Sequence, residues 1–266
     1  MTTTTERPLL PDTRDDGFFL GAAIAMAVVL VAGFSVQLAM GRSSFSAPLM
    51  VHAHAVVFMG WLGIYLLQNI FVATGRTALH RRLGWIGAGW ILAMLVLGCA
   101  VTVDMARRGE IPFFFRPLQF LVFDILSLLT FVGLTTAAIA LRRQTDWHRR
   151  LHFCAMAILL GPGLGRLLPM PLLTPWAWEA TFVVSLIFPL VGIWADHRRS
   201  GRVHPAWGRG LAAMFGMLLV VEAVTYSPLG DALYRAAVAG SPGAALAPLA
   251  FPPPPGPPPM GDAGAS

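Results

Sequence analysis

Seven stretches of about twenty apolar residues follow one another along this chain, and each matches the length a helix needs to cross a bilayer. They cover residues 17–40, 48–72, 83–103, 118–141, 151–168, 176–195 and 207–226. With 56% hydrophobic residues, 12% charged residues and a mean hydropathy of +0.67, the chain has about half the charge of a water-soluble domain. A soluble globule, a disordered chain and a coiled coil are excluded. The expected fold is all-α, a polytopic bundle of about seven transmembrane helices. The first apolar run is too long, and the segment before it too acidic, for a cleaved signal peptide, so it reads as an anchor.

All nineteen basic residues are arginine and none is lysine. In a soluble protein a pI near 10.6 would suggest nucleic acid. Here the arginines lie between apolar runs, so they report topology and contact with anionic headgroups, not a nucleic-acid partner. The missing lysine excludes a retinal Schiff base, lysine covalent catalysis and a phosphate-loop lysine. Thirteen arginines fall on the side of the N-terminus and six on the other. By the positive-inside rule the N-terminus is cytoplasmic and the C-terminus outside, in a bacterial inner membrane. Cys99 and Cys154 lie inside apolar runs and read as small buried hydrophobes.

The expected organisation is a cytoplasmic tail over 1–16, a transmembrane domain over 17–226, a short outer surface segment over 227–243 and a Pro/Gly/Ala-rich tail over 244–266. That tail, with its run of prolines after Phe251, is expected to be extended and disordered, and to be available to a periplasmic partner.

Ionisable residues inside spans are costly, so each is a functional candidate. At 1.5 Å per residue, His52 and His54 lie roughly 6 and 9 Å into the second span, Asp124 about 9 Å into the fourth, Glu179 about 5 Å into the sixth and Glu222 about 6 Å into the seventh. Arg166 lies near the outer end of the fifth. All six belong to the outer half. His52 and His54 project about 200° apart on a helix, so they cannot share one metal, and His54 is the better ligand. It shares a face with Phe58, Trp61, Tyr65 and Gln68. Imidazole with carboxylate suits zinc or iron, and with a methionine such as Met50 it suits copper. The run Gly161-Pro162-Gly163-Leu164-Gly165 predicts a broken helix in the fifth span, as found at membrane binding sites.

A second group lies on the cytoplasmic side: His80, His148, His152, His197 and His204. His148 and His152 are i, i+4 and share a face, which suits two ligands, or a haem ligand with a propionate contact. Nearby arginines would neutralise propionates. His197 and His204 read as interfacial anchors. The word His-Arg-Arg-Leu opens both the third and fifth spans, at His80 and at His148. It marks either a duplicated hairpin or two well-anchored helix starts. The two groups are on the order of 15–20 Å apart, so one haem cannot draw on both.

His52-Ala-His54 followed by Gly60-Trp61, and His80-Arg-Arg-Leu-Gly84 before the third span, resemble words found in uncharacterised polytopic bacterial membrane proteins. They are more loosely similar to b-type membrane cytochromes and haem–copper oxidase subunit I. The resemblance covers about residues 48–168 and implies haem ligation by histidines in a helical bundle. The later paired histidines of an oxidase copper site are absent, which argues against a proton-pumping oxidase. Matched histidine pairs at both faces are also absent, which argues against a two-haem cytochrome.

The leading expectation is therefore a protein that binds haem b through His80 with His148 or His152. It would exchange electrons with a quinone or a membrane redox partner. A second expectation is a haem-free metal enzyme (copper, zinc or iron) or transporter, built on His52 or His54 with Asp124, Arg166, Glu179 and Glu222. A third is a non-catalytic complex subunit or assembly factor.

Overall fold

A computed structural model describes residues 13–42 and 46–254, with Thr13 and Arg14 by backbone alone. Ten α-helices and two short 3₁₀ turns make up its regular structure, and no strand occurs among the described residues. The helices are α1 Thr13–Ala39, α2 Leu49–Ala73, α3 Thr77–Arg108, α4 Pro117–Ala140, α5 Thr145–Ile158, α6 Gly161–Leu167, α7 Ala177–Ser185, α8 Ile187–Ser200, α9 Pro205–Thr225 and α10 Pro228–Val238.

Six segments are long and apolar enough to cross a membrane: Asp15–Ala39, Leu49–Ala73, Thr77–Arg108, Pro117–Ala140, Ala177–Ser200 and Pro205–Thr225. Their outward faces carry large apolar side chains, among them Val28, Leu92, Val96, Leu190 and Leu219. In water such a surface would aggregate, whereas in hydrocarbon it is solvated. The chain is a multi-pass membrane protein.

The fifth expected span is not one helix. α5 ends at Ile158 and α6 begins at Gly161. Pro162 has no N–H to donate, and its ring would meet the carbonyl four residues back, which belongs to Ile158. The same spacing recurs at Pro189, four residues after Ser185, where α7 gives way to α8. The first break falls where the glycines and proline predict it. The second has an equally plain cause, although the apolar run around it gives no sign of one.

The ends of the helices sort into two faces. Asp15 of α1, Arg149 and Arg150 of α5 and Asp196 and Arg199 of α8 meet at one, the near face. Arg116 before α4 meets Tyr226 after α9 at the other, the far face. α5 and α6 together carry the chain from near to far. α5 packs between α4 and α9 and α6 against α1, so nearly all of α5 from Arg150 to Ile158 is buried. Cys154 is fully buried against Gly210, and neither cysteine forms a disulfide.

The approach of α6 to α1 depends on two glycines. A Cβ on Gly33 would overlap the Gly163 carbonyl oxygen, whereas one on Gly21 would meet nothing within 4 Å. Such close backbone approach is how small residues join membrane helices. Gly33→Ala is expected to destabilise the bundle by about 1–3 kcal/mol, the usual penalty of overpacking, while Gly21→Ala stays near wild type. Thermal unfolding in detergent of both variants checks this, and equal midpoints would refute it.

Beyond α9 the chain folds back on the far face. Tyr234 of α10 donates to Gly243 O at 3.3 Å, Leu118 N–H donates to Pro248 O at 2.9 Å, and the Arg116 guanidinium lies 4.8 Å from the Phe251 ring centre. Residues 244–254, expected to be disordered, instead follow the ends of α3 and α4 in a defined course. Leu118 sits in the first turn of α4, where an N–H has no helical partner, and the Pro248 carbonyl fills that need. Residues 255–266, the remainder of the stretch offered to a partner, and the N-terminal tail over 1–12 lie outside the described residues.

Candidate functional site at the near face

α3 and α5 both start at the near face, so histidines in their first turns can meet. His80 is in the first turn of α3, His148 in that of α5, and His152 one turn further on. The His80 and His148 ring centres are 6.1 Å apart, and those of His148 and His152 are 4.8 Å apart, both edge to face. The structure thus brings all three imidazoles together. His148 Nδ1–H donates to Ala138 O at 2.8 Å. That bond fixes the tautomer and leaves the Nε2 lone pair free to act as a ligand.

The three rings line a cavity of about 660 Å³, within the usual range for cofactor sites. Phe19, Trp61, Ile64 and Tyr65 supply apolar wall, and Arg81, Arg142 and Arg143 its basic rim. Those three arginines have no carboxylate partner among the described residues. Arg142 instead lies over the Trp85 ring at 5.7 Å, and Trp85 is 65% exposed. Trp61 Nε1, Gln68 Oε1 and His80 Nδ1 all border this space and are buried without a hydrogen-bond partner. An orphaned buried polar atom is destabilising by roughly 1–3 kcal/mol. Three around one cavity mark a site shaped for a ligand with polar atoms of its own.

One wall is locked by ion pairs. The Arg150 guanidinium grips Asp196 through two bonds of 2.8 Å, and Trp207 Nε1–H donates to the same carboxylate at 2.7 Å. Arg199 pairs with Asp15 at 2.6 Å, and Arg149 pairs with Asp15 and with Asp146. Around the cavity, buried Arg150 and half-buried Arg149 and Arg199 are thus paired with carboxylates, whereas Arg81, Arg142 and Arg143 are not. Reading the sequence for topology alone misses this. Asp15, Asp16 and Asp196, at the ends of apolar runs rich in neighbouring arginine, are the available signal.

His204 serves locally. Its Nδ1 accepts the Ala206 N–H at 3.2 Å and caps α9, with Trp147 edge-on at 5.2 Å. Burial first, and then the Arg150 charge, hold its pKa below the ordinary histidine value. A histidine with a lowered folded pKa contributes stability above its unfolded pKa, about 6.5, and loses it as pH falls below that. Acidification from pH 7 to pH 5 is expected to lower the melting temperature, with a cap loss of about 0.5 kcal/mol. His204→Asn, a cap that does not titrate, should lessen that fall; an identical pH profile would contradict this role. His197 is exposed in the last turn of α8.

The six outer-half candidates do not converge on one point. His54, Asp124 and Arg166 form one group from α2, α4 and α6, in which the field of Arg166 reaches both of the others. Glu179 and Glu222 form another. Gln119 Nε2–H donates to Glu179 at 3.4 Å and Trp178 Nε1–H to Glu222 at 3.2 Å. His52 leaves α2 on a different side from His54, as the helical repeat requires. Among the described residues, no group of three or more His, Cys, Asp or Glu side chains is placed to hold a bare metal ion.

Neither family models, nor curated proteins, nor solved structures match this chain.

Proposed function

We propose that this chain is a seven-pass protein of the bacterial inner membrane, N-terminus in the cytoplasm, that binds one b-type haem and transfers electrons. The near face is then cytoplasmic, consistent with its thirteen arginines against six. The fifth crossing is the α5–α6 pair. The observation that carries this reading is the meeting of His80, His148 and His152 in one large cavity with an unpaired arginine rim.

A haem held by two imidazoles would draw on both helices, one ring from α3 and one from α5, since His148 and His152 crowd each other at 4.8 Å on one helix. His80 is the partner common to either choice. His148, oriented by Ala138 O, is the better second ligand. Arg81, Arg142 and Arg143 would hold the propionates at headgroup depth. Phe19, Trp61 and Ile64 would keep water from the ring. A bound haem supplies a one-electron ferric–ferrous couple. The protein's part is to fix the ligands, neutralise the carboxylates and open the couple to a membrane redox partner such as a quinone. A bare copper, zinc or iron ion is less well supported, since the cavity far exceeds an ion and no three-ligand group surrounds it among the described residues.

The test is an optical spectrum of detergent-purified protein, oxidised and then dithionite-reduced, with metal analysis of the same sample. A sharp reduced α-band with about one iron per chain is expected. A flat spectrum from cells supplied with haem would overturn the proposal.

A further inference from the structure

Residues 73–103 and 125–145 carry five arginines, Arg76, Arg81, Arg82, Arg142 and Arg143, and not one carboxylate. All five are exposed at the near face. Asp16, the one carboxylate on the cavity wall, faces Arg149 at 3.6 Å. The positive charge beside the cavity mouth is therefore left for something outside the chain to balance.

α3 shows where that partner lies. Its 32 residues span about 48 Å, whereas the hydrocarbon core is about 30 Å thick, so its first turns stand among headgroups. Trp85 comes about 12 Å along the helix, near the boundary where indole rings settle. It is exposed on the outside of the bundle and also lines the cavity, so lipid and cavity meet at this ring. The Arg142 guanidinium stands 5.7 Å from the ring centre. The indole N–H has no acceptor among the described residues.

Arg82, Trp85, Gly89, Leu92 and Val96 recur at three- and four-residue steps, so they share one face of α3. Every one is exposed, while Gly87, Ile91, Met94 and Gly98 turn the other face inward. A Cβ on Gly89 would meet nothing within 4 Å, so this glycine leaves a notch between Trp85 and Leu92. From Trp85 to Val96 the stripe runs about 16 Å, the depth of one leaflet.

We infer that this face of α3 binds an anionic phospholipid, its phosphate held by Arg82 and Arg142 and one acyl chain laid along Trp85, Gly89, Leu92 and Val96. Guanidinium groups give phosphate oxygens strong charge-assisted hydrogen bonds. A zwitterionic lipid brings its own cation to the same place and gains less. An acidic soluble protein would match the charge but not the apolar track below it. The site needs no haem, although Arg142 also belongs to the rim proposed for the propionates.

The test uses the full chain, delipidated in detergent and titrated with phosphatidylglycerol or phosphatidylcholine of equal tails. Native mass spectrometry counts the bound lipid. Phosphatidylglycerol is expected to bind at least about tenfold more tightly. Arg82→Gln, which alters a side chain off the cavity wall, should weaken it about fivefold, the worth of one arginine at a membrane surface. Arg202→Gln, at an exposed arginine between α8 and α9, should change it less than about 1.5-fold. Gly89→Leu should weaken it about threefold without lowering the melting temperature, because the new side chain fills the notch and meets no protein atom at Cβ. Equal affinity for the two lipids, or an Arg202 effect as large as the Arg82 effect, would overturn the site. So would displacement by glycerol phosphate, the mark of a free-phosphate site, or by polyglutamate, the mark of an acidic protein partner. Haem content is read on the same samples. Lipid preference in haem-free protein would leave this site standing while the haem proposal fell, and haem-loaded protein without that preference would do the reverse.

Discussion

Replacing His148 by alanine is expected to cut bound haem at least tenfold, and His80→Ala is expected to do the same. Loss of residues that merely orient a metal ligand already lowers affinity 10–100-fold, and the ligand itself should matter no less. His152→Ala is the informative contrast. It removes a third imidazole 4.8 Å from His148 but leaves one ring on each helix, so haem content should stay within about twofold of wild type while the spectrum shifts. His54→Ala, on the far group, should leave both unchanged. Adding imidazole to the His148→Ala protein should restore part of the reduced band, because the deleted ring leaves a hole of matching shape. That rescue separates ligand loss from misfolding. Full haem content in both the His80 and the His148 variants would sink the assignment.

The spans are legible in the sequence because a run of twenty apolar residues is the length that crosses hydrocarbon and far exceeds a buried strand. The break in the fifth is legible in Pro162 and its glycines. The same proline rule at Pro189 is hidden because its neighbours look uninterrupted by composition alone. His80 and His148 stand out because each opens a helix with the same four-residue word, and two helices that start at one face bring their first turns to equal depth. Depth follows from the 1.5 Å rise, but the position of a helix around the bundle does not. Hence His54 and Glu179, at similar depth, group together in the sequence and yet fall in separate clusters. Pairings across long separations are hidden for the same reason. Arg149 meets Asp15 134 residues away, and Leu118 N–H meets Pro248 O in a tail that composition describes as structureless.

The second large effect is expected at Asp196, which carries no candidate chemistry. It is 3% exposed and Arg150 is 5% exposed, and their bidentate bond ties α8 to α5 while Trp207 Nε1–H ties α9 to the same carboxylate. Asp196→Ala strips a buried guanidinium of its bidentate partner, leaving it Asp146 at 2.9 Å and Asp15 at 3.9 Å, and strands the indole N–H. Breaking one side of a buried pair is strongly destabilising, typically 3–5 kcal/mol, so the melting temperature should fall by about 10 °C. Arg150→Ala should be milder, because Arg199 at 3.2 Å and the Trp207 N–H still serve Asp196. The double variant Arg150→Met with Asp196→Leu should lie nearer wild type than Asp196→Ala, since replacing both charges leaves no uncompensated ion. A single-variant loss below about 1 kcal/mol would mean that water reaches the pair and that the network holds little together. His148 lies two residues before Arg150 but has its own anchor in Ala138 O. The double variant should therefore keep its haem, which would show that the ion pairs hold the helices in register while the carbonyl aims the ligand.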